Sequence, residues 1–410
     1  MDNLSHSLAG LGAAELLHRC LPAESHPDGT RTRRRLLLVS CALASNFPDL
    51  DIVLTPLLPA PLGYLLHHRG HTHTLLYALP QALLLAALIW LLWPAARRLL
   101  RESFVTRAGF AVAILGGFGL HLLMDFLNSY GLHPFHPFDS RWYYGDLVFI
   151  LEPVFWVALG APLAMTVQRG WLRCLWLALL TAVPLYFTTQ GYLAWTSFGV
   201  LCVLTAGLAW MQQRAGPNGL RALALAFLVS FVFIGIQGYS SGAARTVVAQ
   251  VLRDHDPHSR LLDVALTPFP ANPVCWSFVS IEMNEDAGSY RLRRGQLSVA
   301  PDAVPVHRCP PTLVEPAARV DKARAVSVIV QAQGDLATLR ALQSSDCHFS
   351  AWLRFARAPV LEGSVAEDLR FASSARGNFT TMDLNAFRGT ACSSAVPQWE
   401  FPRADLLGLP

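Results

Sequence analysis

The chain of 410 residues is 53% hydrophobic and only 15% charged, with a mean hydropathy of +0.36. It is too apolar for an ordinary soluble protein and too long for one small domain. The net charge of +4 is modest and arginine-dominated, which suits membrane topology and gives no support to nucleic-acid binding.

In chain order, Leu4 to Leu21 reads as an apolar helix marked by His6, Glu15 and His18. The arginines from Arg31 to Arg35 precede a second apolar segment, Leu36 to Phe47. Both are short for a bilayer crossing of about 20 residues. Clearer spans are Leu75–Trp93, Gly109–Leu127, Leu147–Val167, Trp171–Thr188, Tyr192–Met211 and Ala222–Ile236. Arginine clusters at 97–107, 169–173 and 214–221 fall on one side if all six cross, and that side is expected to be the cytoplasm. Met1-Asp2-Asn3 lacks the positive start of a secretory signal. The expected organisation is a multi-span helical membrane domain over residues 1–240, followed by a smaller, mostly β soluble domain over 241–410 on the outer side. In the second part Trp276–Met283, Ala325–Gln333 and His348–Ala358 read as strands. Cys275, Cys309, Cys347 and Cys392 offer one or two disulfides, whose pairing the sequence leaves open.

Ligand-type residues gather at the opposite side from the arginines. His67-His68-Arg69-Gly70-His71-Thr72-His73 supplies four histidines in one short turn ahead of an apolar span. Asp49 and Asp51 follow Pro48, and His6 lies near the outer end of its segment. His121 and Asp125 are four apart, so both project from one face of a helix. Such a pair in an apolar span is costly unless it is partnered, hydrated or bound to a cation. Glu152, followed by Pro153, is either a ligand or a base, and Asp146 is either a ligand or a helix cap. Arg69 could hold a phosphate or carboxylate, though a lone arginine is more often a headgroup anchor. The expected metal ligands are therefore His6, Asp49, Asp51, His68, His73, His121, Asp125 and Asp146, with Glu152, Asp51 and Arg69 as catalytic groups. Nitrogen and oxygen donors without cysteine suit zinc first, with manganese or iron as alternatives. Water activated by such a metal would make hydrolysis of an ester, phosphoester or amide the reaction class. No P-loop, GxSxG, dinucleotide fingerprint or HExxH occurs.

These motifs resemble those of the YdjM-type family of bacterial inner-membrane proteins, described as membrane-bound metal-dependent hydrolases. The resemblance rests on Met1-Asp-Asn-Leu-Ser-His6, Asn46-Phe-Pro-Asp-Leu-Asp51, the histidine cluster, His121-Leu-Leu-Met-Asp125, Asn128-Ser-Tyr-Gly131 and Arg141 to Pro153. The ligand order is also similar to that of zinc phospholipase C and the single-strand-specific zinc nucleases. In those enzymes an N-terminal amine and a His-x-x-x-Glu element contribute. Here Met1-Asp2 implies a retained methionine, and position 148 is valine. The resemblance implies a metal-dependent hydrolase in the bacterial inner membrane but no particular substrate; a phosphoester at the outer membrane surface, such as a lipid headgroup, is the preferred expectation. Two rival readings are a cation or proton transporter using the His121/Asp125 pair, and a non-catalytic membrane scaffold.

Overall fold

Polar caps punctuate the apolar first half. The computed structural model describes residues 1–310, 321–322, 324–371 and 377–409. Helix α1 (Asn3–Cys20) starts at Asp2, whose carboxylate accepts from the Ser5 N–H, and α2 (Pro27–Ala44) starts on a proline. A long 3₁₀ stretch, Phe47–Leu57, and the short α3 (Leu62–His67) follow. Thr74 caps α4 (Leu75–Leu92), and Pro94 opens α5 (Pro94–Glu102). Ser103 caps α6 (Phe104–Phe126), and Glu152 caps α7 (Pro153–Ala164). The helical series ends with α8 (Gly170–Thr189), α9 (Trp195–Ala215) and the 35-residue α10 (Arg221–His255).

Six helical stretches among the described residues are long and apolar enough to cross a membrane: Pro27–Leu57, Leu75–Leu92, Phe104–Phe126, Gly170–Thr189, Trp195–Ala215 and Arg221–His255. Leu83, Leu91, Leu92, Val200 and Val203 stand exposed on two of them, as lipid-facing side chains would. Two expectations change. The segment Leu147–Val167 is not among these long stretches: its helix is only the 12-residue α7, buried almost throughout. Pro153 starts it late, and about 18 Å of helix falls short of a bilayer core. Conversely, the apolar segment beginning at Leu36 belongs to a continuous 31-residue stretch.

The chain forms two compact units that interleave in sequence. One comprises Met1–Leu50, Thr72–Asn128 and Phe149–Gly235; the other comprises Asp51–His71, Ser129–Val148 and Ile236–Pro410. In the first unit α1, α2 and α6 pack closely through small residues. A Cβ on Gly10 would lie 2.3 Å from Ser45 Oγ, and one on Gly117 would lie 2.5 Å from Ala44 Cβ. Cys41, Leu37, Ala14 and Ala113 fill the seam.

The second unit holds a five-stranded antiparallel sheet in the order β1-β2-β3-β5-β4. Its strands are β1 (Arg260–Pro268), β2 (Cys275–Asn284), β3 (Ser289–Ser298), β4 (Asp321–Lys322) and β5 (Val326–Asp335). Helices α11 (Leu336–Ser345) and α12 (Cys347–Leu353) follow. A small sheet of β6 (Pro359–Glu362), β7 (Val365–Asp368) and β8 (Met382–Asp383) comes next, then α13 (Ala404–Leu407). Disulfides join Cys275 to Cys309 and Cys347 to Cys392. The expected strand at His348–Ala358 is instead α12. Asp346 caps it by accepting from the His348 and Phe349 N–H groups, and the fully buried Phe349 and Trp352 recur at helical spacing. Segments 51–71 and 129–148 belong to this unit because tryptophans tie them in. The Trp399 indole donates to Leu66 O at 2.9 Å, and the Trp142 indole donates to Arg354 O at 2.6 Å.

Gly63 is the tightest position in the second unit, because a Cβ there would sit 1.8 Å from the Thr55 carbonyl oxygen. Gly63→Ala is expected to destabilise the protein by on the order of 3 kcal/mol in a thermal melt. Gly119→Ala, where nothing lies within 4 Å, should leave stability unchanged or slightly raised.

Candidate metal centre

Asp125, in the last turn of α6, is a buried carboxylate of the first unit. Its side chain is fully buried, as are those of His121, His73 and His6. Helix spacing puts His121 and Asp125 on one face of α6. The short turn His71–His73 before α4 brings in His73, and the residues after α2 bring in Asp49. His73 Nε2 lies 3.3 Å from both Asp49 Oδ1 and Asp125 Oδ2. His121 Nε2 lies 3.7 and 3.6 Å from the same two oxygens. One donor atom from each of the four residues falls within 4.8 Å of all the others.

The tautomers favour a cation. His121 Nδ1 is 2.7 Å from the Ser45 carbonyl, which accepts only, so Nδ1 carries the hydrogen and Nε2 presents its lone pair. His73 Nε2 stands 2.9 Å from that lone pair. Two imidazole nitrogens so close need a proton or a metal ion between them. The nitrogen–oxygen donor set, the burial and the fixed tautomer fit a divalent metal ion. His6 completes the surroundings: its Nε2 is 3.1 Å from Asp125 Oδ1, and its ring stacks on His121 at 4.1 Å. The Met1 α-amine also contacts Asp125 Oδ1.

Other residues singled out from the sequence are not among these four. Asp51, two positions beyond Asp49, belongs to the second unit, where it pairs with His68 (Oδ1 to Nδ1, 2.9 Å) and accepts from the Arg69 N–H at 3.0 Å. Arg69 has a left-handed backbone (φ 58°), and its guanidinium lies 4.8 Å from the centre of the Tyr130 ring. Asp146 is enclosed by cations: Arg357 meets both its oxygens at 3.0 and 2.9 Å, and Arg245 adds a contact at 2.8 Å. Glu152 is buried at the start of α7, where its Oε1 accepts from the Val154 N–H at 3.1 Å. Sequence reasoning missed the Ser45 carbonyl and Arg357. The first could have been found as an open carbonyl at the end of α2; nothing local marks the second, 211 positions from its partner.

A bundle of apolar helices with a buried His/Asp cluster defines a multi-pass membrane protein able to hold a metal ion. Residues 1–197 match the family described as YdjM inner membrane protein. The chain is also 25% identical over 134 residues to the uncharacterized protein YfhP of Bacillus subtilis. That match covers 33% of this chain and 38% of YfhP, so this chain spans well under half of its relative's length. No solved structure matches it.

The second unit contains a histidine whose environment sets a pH dependence. His133 lies between the Trp142 and Trp399 rings, each at 3.9 Å, with its Nδ1 3.1 Å from the Arg141 carbonyl. Burial pushes its pKa down to about 3 from an ordinary 6.5. Above pH 6.5 the imidazole is neutral whether the chain is folded or unfolded; below it only the unfolded chain takes the proton. Stability should therefore fall as pH drops from 6.5 toward 3, by up to roughly 1.4 kcal/mol per pH unit. Melting temperatures across this range should show the slope in the parent and a shallower one in His133→Phe.

Proposed function

We propose that this protein is a membrane-bound metal-dependent hydrolase acting on an ester or phosphoester, with a lipid-related phosphoester preferred. The observation that carries the reading is the convergence of Asp49, His73, His121 and Asp125 in the apolar first unit. These four would hold a divalent cation, zinc before manganese or iron. Such an ion, when bound, activates water and polarises the scissile carbonyl or phosphoryl group.

The chain's own groups have distinct parts. The Ser45 carbonyl holds His121 in the tautomer that offers Nε2, and His6 orients Asp125 through its hydrogen bond. Glu152 is assigned to proton transfer. Within the second unit, Asp51 fixes Nδ1 of His68, and Arg69 offers a cation to an anionic group. Asp146 is given a structural part, because its carboxylate already neutralises Arg357 and Arg245.

The proposed location is the bacterial inner membrane, with the disulfide-bearing unit on the periplasmic side. Two disulfides favour an oxidising compartment. Within the first unit, the arginine-rich ends of the helices lie away from the metal cluster. His6 and Asp125 meet near the start of α1 and the end of α6, whereas Arg19, near the end of α1, donates to Gln212 and to the Gly219 carbonyl in the α9–α10 region.

Elemental mass spectrometry on detergent-purified protein tests the reading. The parent should carry stoichiometric zinc, manganese or iron, and a His73→Ala, Asp125→Ala double variant should lose it along with any hydrolysis of phosphoester substrates. A metal-free parent after reconstitution would overturn the hydrolase assignment.

A further inference from the structure

The end of the first unit that bears the arginines has a surface the metal cluster does not explain. Helix α5 joins two candidate spans, α4 and α6, and at nine residues it is itself too short to cross. Pro94 starts it, and Ser103 ends it while capping α6. Ala96 and Leu100 are buried, whereas Arg98 and Arg101 are exposed and Arg97 is half-exposed. Spacings of three and four residues put these arginines on one face. Arg101 lies 5.3 Å from the centre of the Trp90 ring, in the last turn of α4. A basic face beside tryptophan at the end of an apolar helix is the composition of a headgroup-level anchor.

Neighbouring elements extend the same charge. The Gly29 Cβ position lies 3.7 Å from Leu99, so the start of α2 adjoins α5. Glu24, just before α2, accepts from Arg33, Ser103 and Thr106 at 2.9, 3.0 and 2.6 Å, fastening the α1–α2 turn to the α5–α6 junction. Arg31 and Arg35 are exposed there. Asp28 lies 3.6 Å from Arg31 and Glu102 is exposed, so exposed arginines outnumber exposed carboxylates on this surface. Among the described residues Arg97, Arg98 and Arg35 have no carboxylate within ion-pair distance.

We propose that α5 is an interfacial helix whose arginines, with those at the start of α2, bind the phosphate headgroups of anionic phospholipids. The guanidiniums meet headgroup phosphates while Ala96 and Leu100 keep the helix seated on its own unit. Lipid composition is then a determinant of this unit's stability, independently of whether the metal cluster hydrolyses anything.

Full-length protein in mixed micelles should melt at a higher temperature with phosphatidylglycerol than with phosphatidylcholine, and the difference should shrink with salt. Native mass spectrometry should find anionic lipid retained. Arg97→Gln, Arg98→Gln, Arg101→Gln together should weaken that retention on the order of 100-fold. The corresponding triple lysine variant should restore most of it, which separates loss of charge from misfolding. Equal stabilisation by the two lipids, unchanged retention by the glutamine variant, or failure of lysine to rescue would overturn the proposal. So would inorganic phosphate alone reproducing the full shift, because the site would then be one for free anions.

Discussion

A carboxylate with no exposure, lodged near the end of an apolar helix, must be met by cations or hydrogen-bond donors, because burial without them costs several kcal/mol. Asp125 is that carboxylate, and its requirement organises one end of the first unit. The Met1 amine and His6, from the amino-terminal stretch, and His73, from the turn before α4, converge to meet it. Each contact needs backbone placed within about an ångström. The small residues Gly10 and Gly117 allow α1 and α6 to lie close enough against α2 for the Ser45 carbonyl to reach His121. Packing and chemistry are therefore one problem here: a side chain added at either glycine would move the groups that orient the donors.

The second unit solves a similar problem with permanent charges. Arg357 is buried between Asp146 and Asp263, the latter 2.7 Å from its Nε, while Tyr144 presents its ring 4.1 Å from the guanidinium carbon. Burial alone would disfavour the charged guanidinium, but the two carboxylates more than offset it and raise its pKa. Asp146 comes from segment 129–148, Asp263 from β1 and Arg357 from the turn after α12. Removing any one would leave the others charged without a full set of partners. This network, with the Trp142 and Trp399 hydrogen bonds, explains why a segment lying between two apolar helices in sequence belongs to the sheet-bearing unit.

Features set by local chemistry were legible in the sequence. Apolar runs gave most of the long helices, alternating β-branched and aromatic residues gave β2 and β5, and costly polar residues in apolar surroundings drew attention to His121 and Asp125. The structure places both with His73 and Asp49, which were on the same sequence-derived list. Less was legible where a feature depends on distant partners. Asp51 reads like Asp49 from two positions away, yet its partner is His68; Asp146 reads as a ligand until Arg357 arrives from 211 residues further on. The aromatic residues Phe349, Trp352 and Phe355 suggested a strand at 348–358, and the cap on α12 supplied by Asp346 outweighed that preference. The Leu147–Val167 segment was apolar enough for a span, but proline placement and burial made it a core helix instead.

The two disulfides link cysteines that are consecutive along the chain, Cys275 with Cys309 and Cys347 with Cys392, at separations of 34 and 45 residues. Four cysteines allow three pairings, and only this one neither nests nor crosses. A chain emerging from its amino-terminal end can close the first bridge before Cys347 has appeared. Among these four cysteines, each oxidation then meets only its correct partner, and their pairing needs an oxidant but no reshuffling of bonds mispaired among them.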